Sequence, residues 1–115
     1  MNELITRWLG RLHHVAGVAA CGVEGPDGSG FSRTWDTQFP EPALTELWAR
    51  LRNIAKTSIP KDESAESLRW TFNQYLVTAV VRGDGTIFFV LRLKDPAAVD
   101  SAGIDRLLNE FRALR

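Results

Sequence analysis

Apolar residues recur along this chain with two different periods, and the change from one to the other marks out its elements. Leu4, Ile5, Trp8, Leu9 and Leu12 return every three or four residues, which lines one side of an α-helix and predicts a helix over residues 3–14 that Gly17 ends. Residues 17–24 are small and apolar and read as a strand. The glycines and proline of Gly25-Pro26-Asp27-Gly28-Ser29-Gly30 then mark a reversal into a second strand over 31–35. Phe39-Pro40-Glu41-Pro42 cannot extend a strand, but proline suits the first turn of a helix, where its missing N–H costs nothing. From there Leu44, Leu47, Trp48, Leu51, Ile54 and Ala55 fall within an arc of about 120° at 100° per residue. That long second helix should end near Ser58, before Ile59-Pro60, with Lys61 to Glu66 as a polar surface loop.

The second half changes period. Leu68, Trp70 and Phe72 alternate with Arg69, Thr71 and Asn73, the signature of a half-buried strand over 67–73, which suits a sheet margin. Residues 75–81 and 87–93 are apolar at nearly every position, so both their faces must be covered. Arg82-Gly83-Asp84-Gly85-Thr86 joins them as a tight antiparallel hairpin. Ile104, Leu107, Leu108, Phe111 and Leu114 give a C-terminal amphipathic helix, capped by Asp100 or Ser101. The order αββαβββα, with central strands covered on both faces, predicts an α/β fold of the α+β type: three layers, α/β/α, around one five-stranded antiparallel sheet. Residues 1–115 should form a single domain.

Composition narrows the partners. Fourteen Lys and Arg balance fourteen Asp and Glu, so no broad positive field draws the chain to nucleic acid or to an anionic membrane. The N-terminus lacks the basic start and apolar run of a signal peptide, and no apolar stretch reaches the roughly 20 residues that span a bilayer. A cytoplasmic location is expected. Cys21 is the only cysteine, which leaves neither an internal disulfide nor a multi-thiolate metal site within one chain.

Candidate chemistry is sparse. No phosphate loop occurs, and Gly25, Gly28 and Gly30 read as turn formers rather than a dinucleotide fingerprint. His13 and His14 project about 100° apart on a helix and do not converge on one metal ion. Cys21, in an apolar strand, reads as a small buried hydrophobe; as a nucleophile it would need a base such as His13 or His14 brought to it by the fold. Asp62, Glu63 and Glu66 fall in the predicted loop, where solvation removes the pKa separation that acid–base work requires. Trp8, Trp48 and Trp70 sit on apolar stripes and read as core. Trp35 and Phe39, in a connecting segment, are candidate anchors for a partner, since aromatic side chains dominate binding hot spots. No catalytic residue, metal site or cofactor is expected.

Two local patterns, taken with the order of elements, resemble the Roadblock/LC7 family. One is Trp8-Leu9-Gly10-Arg11-Leu12 followed by Val15-Ala16-Gly17-Val18-Ala19-Ala20 and Asp27-Gly28. The other is the meander from Leu68 through Gly83-Asp84-Gly85 to Leu93, closed by the terminal helix. The resemblance implies a five-stranded antiparallel sheet with one helix on one face and two on the other. It also implies dimers in which the third strand and second helix of each copy meet so that two sheets become one. The implied role is a non-catalytic platform that regulates or scaffolds a small Ras-like GTPase. Here such an interface would draw on Arg50, Asn53 and Lys56 of the second helix and on Arg69, Thr71 and Asn73 of the third strand. Because the apolar stripe of the second helix is just wide enough to cover its own sheet, polar contacts are expected there. The turn Gly25 to Gly30 is longer than the short turn typical of the family, a place where partner choice can change. Two other readings compete: a small-molecule sensor with a pocket near Trp48 and Phe72, and, last, an enzyme using Cys21.

Overall fold

The computed structural model describes residues 3–58 and 67–114, without the side chains of residues 56–58. Its elements run α1 (Glu3–Gly10), β1 (Val18–Glu24), β2 (Gly30–Thr34), α2 (Glu41–Ser58), β3 (Ser67–Thr71), β4 (Tyr75–Val81), β5 (Ile87–Leu93), a 3₁₀ turn (Pro96–Ala98) and α3 (Ser101–Ala113). The strands form one antiparallel sheet in the order β2-β1-β5-β4-β3. The architecture and element order are those the hydrophobic pattern predicts. Ile59-Pro60 and the acidic group Asp62, Glu63 and Glu66 lie outside the described residues.

The sheet carries a core on each face. Ile5, Leu9 and Leu12 and, from α3, Ile104, Leu107, Leu108 and Phe111 meet Cys21, Val23, Val80, Phe88 and Val90 on one face. Leu44, Trp48 and Leu51 of α2 meet Ala20, Val77, Ala79, Phe89 and Leu91 on the other. Alternate residues of a strand point to opposite faces, so β1 and β5, which feed both cores, are buried along nearly their whole length. The continuous apolar runs of the central strands follow from this.

Boundaries differ from the pattern where side chains intervene. The first helix stops at Gly10 rather than His14; the Arg33 guanidinium donates to the Leu9 and Gly10 carbonyls at 3.2 and 2.9 Å, satisfying acceptors that another helical turn would have used. Leu12 is still buried, through a tight turn with bonds from Arg11 N to Trp8 O and from Leu12 N to Leu9 O. Gly17 takes φ +87°, and a Cβ there would come within 2.5 Å of Val99, so both conformation and space require glycine. Asp100 is the cap of α3, its carboxylate accepting from Gly103 N at 3.0 Å. β3 ends at Thr71 rather than Asn73, because Phe72 N donates to Tyr75 O at 2.8 Å and closes a two-residue turn through Asn73-Gln74.

Candidate binding surface

β3 is a margin of the sheet: its hydrogen-bonded neighbour is β4, and no strand of the described residues pairs with its other side. The phase of its backbone follows from one bond. Phe72, opposite Tyr75 in the ladder, turns its N–H toward β4. Successive residues turn their N–H and C=O to opposite sides, so Trp70 and Leu68 also face β4, and Ser67, Arg69 and Thr71 present theirs to the open side. The side chains divide as well. Leu68 and Trp70 pack against the core on the α2 face, with the Trp70 ring centroid 6.4 Å from that of Phe89. Arg69, opposite Thr78, lies on the other face, in a small cleft shared with Arg92, Ser101 and Asp105.

α2 crosses the sheet on the face that Leu68 and Trp70 share, closest to β1 and β2. Its buried stripe centres on Leu44, Trp48, Leu51 and Ala55, and Leu47 and Ile54 occupy one end of the arc, only about 20° apart round the helix and two turns apart along it. Leu47 is half-buried and faces Phe72 and Tyr75 at the turn between β3 and β4, and Ile54 is 46% exposed. All the apolar residues of the stripe were expected to cover the sheet; the structure instead leaves Ile54 beyond the core. Below Leu47 opens an apolar cleft of about 560 Å³, lined chiefly by Phe39, Phe72, Tyr75 and Leu91, with Asn73 and Gln74. Phe39 and Tyr75 meet edge to face at 4.9 Å, the Tyr75 hydroxyl donates to Gln38 Oε1 at 3.4 Å, and Phe72 is 42% exposed.

The residues singled out in the sequence are distributed around this surface. Arg50 and Asn53 are exposed on α2, with Arg50 paired to Glu46 at 2.6 Å; the Lys56 side chain lies outside the described residues. Arg69 and Thr71 line the open strand but project from the face opposite α2, and Asn73 lies in the turn beside the cleft. One continuous polar patch is therefore not formed. Phe39 lines the cleft, whereas Trp35 packs against the core on the opposite face of the sheet, 5.2 Å from the His14 ring and beneath the Arg33 guanidinium. Ile54, Phe72 and Tyr75, the apolar part of the surface, had no sequence signal separating them from core positions.

The remaining candidate groups are silent or structural. Cys21 is fully buried, and burial pushes its thiol up to about 12, so it is not a thiolate near neutral pH. His14 Nε2 is occupied by Val18 O at 2.8 Å. Among the described residues no group of three His, Cys, Asp or Glu could hold a metal ion, and no helix is long and apolar enough to cross a membrane. Trp48 is buried, stacks on Phe89 at 4.9 Å with rings 9° apart, and donates to Ser32 Oγ at 2.9 Å. The space expected near Trp48 for a small-molecule pocket is thus filled, and only the Phe72 end is open. A buried ion pair that the sequence did not suggest ties α2 to the β1–β2 turn: Arg52 lies 3.7 Å from Glu24 and donates to Pro26 O at 2.8 Å. Burial raises the Glu24 pKa against the lowering pull of Arg52.

No family model matches the chain, and no curated protein matches it significantly. Among solved structures it is similar to a Roadblock/LC7 domain from Streptomyces avermitilis, at 19% identity and TM-score 0.54, over 97% of this chain and 94% of that one. It is also similar to MglC from Myxococcus xanthus, at 19% identity and TM-score 0.51, over 86% of this chain and 88% of that one. The sheet order, the division of three helices between two faces and these two likenesses together give the chain the Roadblock/LC7 fold.

Proposed function

We propose that this chain is a non-catalytic dimeric platform that regulates or scaffolds a small Ras-like GTPase. The observation that carries the reading is the margin at β3, whose outward backbone groups at Ser67, Arg69 and Thr71 face no other strand among the described residues. A bare margin of this kind pairs readily with another strand. Arg50 and Asn53 on α2, the backbone of Arg69 and Thr71, and Asn73 contribute to the seam between copies; Phe39, at the cleft, is the aromatic contact for a partner. The fold supports the same role, and the buried, protonated Cys21 supports a function without covalent chemistry. A reducing compartment, the cytoplasm, suits a chain whose lone thiol stays free. Sedimentation velocity across micromolar concentrations tests the assembly, and titration with a Ras-like GTPase loaded with GDP or a GTP analogue tests the partner. A monomer at every concentration, or no binding to either nucleotide form, overturns the reading.

The cleft favours a second reading, a sensor for a small apolar ligand held by Phe39, Phe72 and Tyr75. It predicts a ligand-dependent rise in Tm that Phe72→Ala abolishes; a compound set that leaves Tm unchanged removes it.

A further inference from the structure

We propose that the small cleft between α3 and the sheet beside it binds a single phosphate group, held by Arg69 and Arg92. The site is complete in one chain and does not depend on any pairing of copies. Its place follows from how the helices cover the sheet. On the face away from α2, α3 seals Val80, Phe88 and Val90, and the alternation of β3 sets Ser67, Arg69 and Thr71 on that same face, where they stay exposed. Arg69 stands opposite Thr78 of β4, and Arg92 reaches the same cleft from β5. Ser101 and Asp105 of α3 form the facing wall.

Two guanidinium groups brought to one small space repel each other unless negative charge lies between them. Here the compensation is incomplete. Asp105 is the only carboxylate that lines the cleft among the described residues, and it forms no ion pair with either arginine. Arg69 has no hydrogen-bond or ionic partner among the described residues, and Arg92 has only a long bond, 3.4 Å, to the Leu93 carbonyl beside it. By contrast, Arg33, Arg52 and Arg82 are each engaged by main-chain carbonyls of other elements. A guanidinium offers five N–H donors in a planar fork that matches phosphate oxygens two at a time, and here two such forks converge uncommitted. The Thr78 and Ser101 hydroxyls add donors on the walls between them. A second cleft, between α1 and α3, also holds two arginines, Arg11 and Arg106, but Asp100 and Glu110 balance their charge there.

Size selects the ligand. The cleft measures about 140 Å³, room for a few waters at roughly 30 Å³ each or for one tetrahedral oxyanion, and well below the roughly 300 Å³ at which pockets for whole small molecules begin. A phosphate group therefore enters, and whatever carries it stays outside. With fourteen basic residues against fourteen acidic ones, the chain has no wide positive field for a membrane surface. The ligand is a free phosphate ion or a small phosphate ester.

Backbone amide NMR shifts, followed through titrations with inorganic phosphate and with O-phosphoserine at constant ionic strength, read the site directly. Saturable shifts centred on Arg69, Thr78 and Ser101 are expected. Arg69→Ala, at an exposed position, should weaken binding by about tenfold or more. Arg92→Lys, which keeps the charge and loses the fork, should weaken it by less. Asp105→Asn removes the opposing charge and should tighten it. Arg7→Ala, on α1 and paired with Glu3, should leave it unchanged. Saturation by inorganic phosphate alone assigns the site to the free ion, and tighter saturation by O-phosphoserine assigns it to an ester. Shifts that rise linearly with both ligands, or an affinity that Arg69→Ala leaves intact, overturn the phosphate site.

Discussion

The sheet has two margins, and they are finished in opposite ways. At β2 both flanking helices reach down to the strand: Trp48 of α2 donates to Ser32 from one face, and Arg33 donates to the end of α1 on the other. Arg52 then ties α2 to the turn that opens β2. At β3, Leu68 and Trp70 pack against the core on the α2 face while Arg69 and Thr71 stand exposed; neither margin has a further strand beside it among the described residues. Covering by a helix or loop is one of the ways in which an edge strand is protected. The contrast leaves β2 the margin tied down from both faces of the sheet and β3 the margin with fewer such ties.

The comparison breaks most visibly if the β2 lock is removed. Trp48→Ala deletes a buried ring stacked on Phe89 and the bond to Ser32, and should cost about 3–5 kcal/mol in urea unfolding. A smaller loss would mean that β2 is held by something else. Arg52→Met leaves Glu24 buried beside an apolar neighbour and should cost about 3 kcal/mol near pH 7. The pH dependence carries the sign. The folded state holds the Glu24 proton above its ordinary value of 4.5, so this group's contribution to stability falls as pH rises from there through the raised pKa. Arg52→Met should extend that fall to higher pH, because the lowering pull on Glu24 is gone, and Glu24→Gln should abolish it, measured as urea midpoints across pH.

At the other margin the expected effect is on assembly. The Thr71 N–H faces outward, so Thr71→Pro keeps every bond to β4 while removing one donor from the open edge. Dimer dissociation should rise by tens-fold, about 2 kcal/mol, with the monomer still folded by circular dichroism. An unchanged sedimentation profile would place the seam elsewhere. The smallest effect sharpens the contrast: Phe31 is 48% exposed on β2, and Phe31→Ser should change stability by less than about 0.5 kcal/mol and leave assembly untouched. Loss of the dimer in that variant would reverse the roles of the two margins.

Much of the fold was legible because its signals are local. The double-faced apolar runs of β4 and β5 required helices on both sides, the Asp84-Gly85 turn fixed their antiparallel pairing, and the alternation at Leu68, Trp70 and Phe72 marked a margin. The candidate surface was legible only in part. Arg69 and Thr71 were assigned to β3 correctly, yet nothing in their spacing told that they leave the face opposite Arg50 and Asn53, since that depends on which side α2 packs. Ile54 matched the apolar stripe as well as Leu51 does, and only the direction in which α2 presses on the sheet left one buried and the other exposed.

The periods of this sequence, two and 3.6, with their turn residues, determined the number, type and order of its elements, because such patterns act over a few neighbouring residues. Tertiary structure alone decided which strands stand at the margins, which end of the α2 stripe is left exposed, and that Glu24 and Arg52 meet. Those outcomes depend on distances between segments far apart in the chain, which no local pattern encodes.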